Sequence, residues 1–263
     1  MLIRLATSSD LEAMTAVLIG ASPMDPVYPY RFPDRHLYPD EFAALCRRKC
    51  AEYLETSTVV VCELPHSAYS PSTPQVVAFA AWDMPSAAAQ VAGEVGSVGC
   101  STEPTSPTSP TLPTSPTTIG HATRQSAFRA ALAKHKASLF DARHAPAGGH
   151  VFLKMLLCHP AFQRRGAGTA LTAWGIEQAR TLGVYTTVFA SPMGLRLYEK
   201  LGFREVGRFR VQLEGEGEFL EIPAMALAPG VVGGMREVEG KGGLGRGECG
   251  RRVDVWGEGA VCV

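Results

Sequence analysis

The residues of this chain best placed to do chemistry are Cys158-His-Pro-Ala-Phe-Gln-Arg-Arg-Gly-Ala-Gly168. An apolar run from Val151 to Cys158 stops at Pro160, a loop with two arginines and two glycines follows, and a long helical pattern starts at Thr169. Strand, turn and helix N-terminus in that order present a row of main-chain N–H groups to an anion. Gly166 and Gly168 lack a Cβ and let the backbone approach a ligand closely. Arg164 and Arg165 add positive charge beside those groups. Such a loop cradles a pyrophosphate; the plainer alternative is a connection in which the glycines only ease a turn.

The spacing narrows the choice. A nucleoside triphosphatase loop needs G-x-x-x-x-G-K-[ST], and a dinucleotide fold needs G-x-G-x-x-G after its first strand. Neither occurs here. Gln163 to Gly168 reads Q-x-x-G-x-G and resembles the acetyl-CoA loop of the GNAT superfamily of N-acetyltransferases. Downstream, Tyr185 to Ala190 is a β-branched and aromatic run expected to form a strand. The segment Ser191-Pro-Met-Gly-Leu-Arg-Leu-Tyr198-Glu-Lys-Leu-Gly-Phe203 then resembles the second GNAT signature, N-x-x-A-x-x-[FL]-Y-E-K-x-G-F. Ser191 stands at the family's usual asparagine and Gly194 at its usual alanine. With two signatures in the right order, the chain is identified as a member of the superfamily, and it is most similar to small-molecule GNAT proteins of filamentous fungi.

The resemblance implies acetyl-CoA as the acetyl donor and direct transfer to an amine, with no metal. Gln163, Arg164, Arg165, Gly166, Ala167, Gly168 and Thr169 are then the cofactor-binding loop, its main-chain N–H groups on the pyrophosphate and a helix dipole behind them. Leu156 and Cys158 would pair with the pantetheine through their main chains, like an added strand. Ser191 would hydrogen-bond pantetheine or a water, although a hydroxyl lacks an amide's paired donor and acceptor. Tyr198 falls at the family's tyrosine, which implies a general acid for the departing thiolate; a phenol with an ordinary pKa of about 10 holds a proton at neutral pH. The alternative for Tyr198 is a core residue between the short helix and the sheet. A nucleophilic Cys158 relayed by His159 runs against direct transfer. For the general base three candidates stand open: Asp83, His159 with an imidazole's near-neutral titration, or loss of the amine proton to water. The expected fourth strand carries Lys154 where many relatives have a carboxylate.

Composition agrees with an enzyme. The chain has 263 residues, 46% of them hydrophobic, with 25 basic and 25 acidic side chains. Zero net charge speaks against a general binder of nucleic acid or membrane surface. No apolar run approaches the ~18 residues of a membrane span, and Met1-Leu-Ile-Arg-Leu lacks the order of a secretory signal. Seven cysteines without C-x-x-C pairs or zinc spacing fit reduced thiols in the cytoplasm.

These residues need a frame. Strands are expected at Ile3–Leu5, Thr58–Cys62, Val76–Trp82, Val151–Cys158, Tyr185–Ala190, Glu205–Leu213 and Phe219–Leu227, with helices after a Ser9–Glu12 capping box, over 40–55, over 122–140 and from Thr169. Four prolines in 21–38 forbid a regular helix there; its aromatics either line an acceptor pocket or pack the loop down. The Arg47-Arg48-Lys49 run reads as a solvated helix face. Residues 65–74 form an exposed connection, and about 84–118, rich in Ser, Thr and Pro, a disordered insertion. The expected fold is α/β, a GNAT-like three-layer arrangement: a mixed twisted sheet with helices on both faces over residues 1–228, followed by a disordered Gly-rich tail at 229–263. The function that follows is acetyl-CoA-dependent N-acetylation of a small amine by a monomer or homodimer. The alternatives are a protein or peptide N-acetyltransferase and a non-catalytic acyl-CoA sensor.

Overall fold

The computed structural model describes residues 1–64, 75–85 and 122–230. The expected connection at 65–74, nearly all of the insertion at 84–118 and the tail beyond Gly230 lie outside them. The described chain runs β1 (Leu2–Leu5), α1 (Leu11–Ala21), α2 (Val27–Arg31), α3 (Pro39–Thr56), β2 (Thr58–Leu64), β3 (Gln75–Asp83), α4 (Ala122–Lys136), β4 (His150–Cys158), α5 (Ala167–Leu182), β5 (Tyr185–Phe189), α6 (Leu195–Lys200), β6 (Arg204–Gln212) and β7 (Phe219–Leu227). The strands form one sheet in the order β1-β2-β3-β4-β5-β7-β6. Every neighbouring pair is antiparallel except β4 and β5. Helices cover both faces, as expected for a three-layer α/β fold.

On one face Leu171 of α5, Tyr198 of α6 and Phe203, just beyond α6, pack against Trp82, Leu153 and Leu156 of the sheet. On the other, α1 and α3 pack Met14, Leu18, Phe42 and Tyr53 over Val61 and Phe79. Beside them α2 and α4 set Tyr30 and Phe128 with Phe152 and Phe189. The α5 face closes tightly around a glycine. A Cβ added at Gly175 would lie 2.2 Å from Cζ2 of Trp82, whose side chain is fully buried. Gly175→Ala, a gain of about 1 kcal/mol in an open helix, should here cost about 1–3 kcal/mol through overpacking. Urea denaturation of the variant checks this, and an unchanged midpoint would show that Trp82 has room to move.

The structure departs from the sequence reading in three places. Thr7 and Asp10, rather than Ser9 and Glu12, make the capping box: Thr7 N–H donates to Asp10 Oδ2 at 2.7 Å, and Arg4 of β1 holds the same carboxylate at 2.8 Å. Glu12 pairs with Arg47 instead, at 2.7 Å. Residues 27–31 form a short helix despite Pro29. That proline sits in the first turn, where its missing N–H would have had no helical partner. Finally, the helix over 122–140 stays regular only to Lys136; a π turn, Ala137–Asp141, follows.

The feature that shapes the site is in β4. Its register against β3 steps from Met155↔Ala81 to Leu153↔Trp82, so Lys154 is an extra residue, a β-bulge. Val151 and Leu153 face the α5 side, but beyond the bulge Leu156 and Cys158 take that side. A bulge bends its strand and raises local twist. The parallel pairing of β4 with β5 ends where the bulge begins, at Leu153↔Val188. From Lys154 to Cys158, β4 parts from β5.

Candidate functional site

His159 N–H donates to Val77 O at 2.8 Å, across to β3. Main-chain groups alternate along a strand, so Leu157 and Met155 also turn to β3, while Leu156 and Cys158 turn their N–H and C=O to the open side. Gln163 closes the far end of this edge. Its Nε2 donates to Cys158 O at 3.2 Å and ties the following loop to the strand. Cys158 is itself buried, and burial with Cys62 beside it pushes its thiol up to about 11. A thiol so held carries no nucleophilic thiolate near neutrality. His159 caps the turn Pro160–Phe162, its Nδ1 accepting the Ala161 N–H at 3.3 Å.

Next to this edge lies the start of α5. Arg164 (φ 63°) and Gly166 (φ 87°) are both left-handed, and Gly166 is the N-cap. The first helical bond runs from Ala170 N to Gly166 O at 2.9 Å. The N–H groups of Ala167, Gly168 and Thr169 precede it and point out of the helix end, where the dipole favours an anion. Arg165 turns back over Phe162, 5.3 Å from the ring centroid, and donates to Ala161 O at 3.4 Å. A helix N-terminus with three outward main-chain N–H groups thus adjoins an open strand edge.

Tyr198 of α6 is fully buried, its ring edge-on to Phe203 at 5.4 Å. Ser191, just beyond β5, is buried too. It meets a residue that sequence reasoning did not single out. The Asp25 carboxyl, between α1 and α2, accepts the Val27 N–H at 3.0 Å, and the Ser191 side chain hydrogen-bonds it. Asp25 Oδ2 is buried without a hydrogen-bond partner. Burial raises this carboxyl to about 6, and Val27, Ser191 and the Arg31 charge offset only part of that rise. Asp25 stands in Met24-Asp25-Pro26, which reads as a turn; only packing makes it a buried acid. Asp83, the sequence candidate, is instead ion-paired to Lys154 Nζ at 3.0 Å.

A cavity of about 360 Å³ lies on the face opposite α5. Phe152, Lys154, Met155 and Phe189, at the parting of β4 and β5, form its floor, and α2, α3 and α4 wall it. Tyr28 and Phe32 are buried and line it, so the aromatics of the proline-rich segment both pack the segment and shape a pocket. Arg48 and Lys49 line it as well, while Arg47 and Arg48 keep the exposure expected of a solvated helix face.

Residues 126–203 match the model of the acetyltransferase (GNAT) family. An acetyltransferase of Stachybotrys chartarum is 35% identical over 68 residues, 26% of this chain, and that match spans only 30% of the relative's length. Across 86% of the chain the structure superposes on 99% of a mosquito arylalkylamine N-acetyltransferase like 5b, with TM-score 0.55 and 15% identity. It also covers 99% of the Drosophila melanogaster polyamine N-acetyltransferase, which forms N-acetylagmatine, with TM-score 0.53 and 14% identity over 86% of the chain. The fold is the GNAT fold. The bulged β4, the parted β5 and the α5 N-terminus are thus parts of a GNAT scaffold, and both sequence signatures lie on it. Among the described residues no helix is long and apolar enough to cross a membrane, and no cluster of ligating side chains forms a metal site.

Proposed function

We propose that the chain is an acetyl-CoA-dependent N-acetyltransferase acting on a small amine, with residues 1–228 as its catalytic domain. The observation that carries this reading is the parting of β4 from β5 at Lys154, with the anion cradle at one end and the floor of the cavity on it. A pyrophosphate on the N–H groups of Ala167, Gly168 and Thr169 would leave its pantetheine arm beside Leu156 and Cys158, whose main-chain groups on the open edge would accept an added strand. Gln163 holds loop and strand in that relation, and Arg164 and Arg165 contribute charge. Acetyl-CoA supplies the activated acetyl group; the protein supplies position and proton traffic. The cavity holds the acceptor, and its enclosure by α2, α3 and α4 favours a small molecule over a protein. Asp25, raised toward neutrality, takes the amine proton, because a base works best with a pKa near the working pH. Ser191 positions Asp25, and Tyr198 donates a proton to the departing thiolate. Four buried, unpaired cysteines among the described residues fit a reducing compartment such as the cytoplasm.

The cradle gives the test. Gly166 holds φ 87°, a region that β-branched residues avoid, while a Cβ there would meet only Met1 Cε at 3.9 Å. Gly166→Val should therefore fold, reshape the loop and lose at least about tenfold in CoA affinity, one lost hydrogen bond to a charged group being worth about 1.5–3 kcal/mol. Arg165→Ala should weaken binding less, since the main-chain donors remain. Calorimetry with CoA decides, and a folded Gly166→Val protein with unchanged affinity removes this loop from the cofactor site.

A further inference from the structure

The cavity read above as the acceptor site carries a charge that suits some amines and opposes others. Arg31, Arg48, Lys49, Arg129, Lys136 and Lys154 line it against a single carboxylate, Glu52. Three of these cations are paired: Lys49 with Glu52 at 2.7 Å, Lys136 with Asp141 at 2.8 Å and Lys154 with Asp83 at 3.0 Å. Arg31, Arg48 and Arg129 have no carboxylate within ion-pair distance among the described residues.

Arg31 is the most constrained of the three. Its guanidinium lies between the rings of Phe32 and Phe128, 5.0 and 4.6 Å from their centroids. Its Nε is buried with no hydrogen-bond partner. Burial holds this guanidinium below its ordinary range, and the nearby Arg129 charge lowers it further. A buried donor without an acceptor is costly, and a planar guanidinium is shaped to receive a planar acid through two parallel N–H bonds. Around it, Tyr28, Phe32, Tyr53, Phe128, Phe152 and Phe189 give the cavity aromatic walls.

Building on the acceptor-site reading, we infer that the acceptor bears a carboxylate beside its amine on an apolar or aromatic body, and that Arg31 takes the carboxylate while Arg129 and Arg48 add to the field. A polyamine or an agmatine-like dication meets like charge in the same cavity, which costs affinity.

Matched compounds that differ only in the carboxylate test this: phenylalanine against phenethylamine, tryptophan against tryptamine, and arginine against agmatine. Calorimetry on the full chain measures binding, and thiol release from acetyl-CoA measures transfer. The acid of at least one pair should bind about 10- to 100-fold tighter than its amine, the worth of a charge-assisted hydrogen-bond pair. Arg31→Gln should bring that ratio close to one. Arg129→Gln, on an exposed position of α4 where folding is not at stake, should lower the ratio by a smaller factor. Tighter or equal binding of the decarboxylated compound in every pair, or binding of neither, overturns the inference. The same compounds test acetyl transfer independently. Acids that bind but never accept an acetyl group leave carboxylate recognition standing and count against transfer. Decarboxylated amines acetylated faster than their acids do the reverse.

Discussion

Asp25→Asn should slow acetyl transfer by about 10²- to 10⁴-fold, the usual worth of a general base, and leave the protein as stable as the wild type or more so. The two effects have one cause. Packing between α1, α2 and Ser191 raises the folded-state carboxyl from its ordinary 3.8 to about 6. Between those values the folded protein binds a proton that the unfolded chain releases. The stability this carboxyl contributes is therefore full below about pH 4 and is lost as pH rises through 6. At neutral pH the ionised, desolvated carboxylate opposes folding by up to about 3 kcal/mol, at 1.36 kcal/mol per pKa unit. Asparagine is neutral and still accepts the Val27 N–H, so its melting temperature at pH 7.5 should equal or exceed that of the wild type. Wild-type kcat/KM should climb with pH through about 6, and the variant should lack that rise. A variant with wild-type turnover, or one that keeps the acid limb, would remove Asp25 from the mechanism.

Tyr198→Phe is the companion experiment at the other proton. The ring is fully buried against Phe203, and phenylalanine keeps that contact while removing the hydroxyl alone. Turnover should fall by about 10²- to 10⁴-fold if the phenol serves the thiolate, with CoA affinity changed by a few-fold at most, because the proposed cofactor contacts lie on the α5 loop and the β4 edge. Equal turnover would make Tyr198 a core residue and leave solvent as the proton donor. A wild-type protein that binds CoA and acetylates no amine would turn the chain into an acyl-CoA sensor, a result that the two variants could not reproduce by misfolding.

The two residues proposed to move protons differ in how they can be found. Tyr198 lies in a local signature, Leu-Tyr-Glu-Lys-Leu-Gly-Phe, where neighbours in sequence are neighbours in space. Asp25 is defined by contact with Ser191, far away along the chain, and by burial under helices that it does not belong to. No pattern around Met24-Asp25-Pro26 signals a raised carboxyl. Lys154 is an intermediate case. A lone cation inside Val151–Cys158 is visible as an irregularity, but the sequence reading of an unbroken strand gives no bulge there.

By itself the sequence determined the seven strands and the main helices, because alternation, apolar runs and prolines act locally on φ and ψ. It also determined the start of α5, since a left-handed N-cap demands glycine there. Tertiary structure alone decided where β4 leaves β5, which aromatics of the proline-rich segment close over the floor, and which carboxyl loses its water. Those outcomes depend on long-range packing and desolvation, which no window of residues contains.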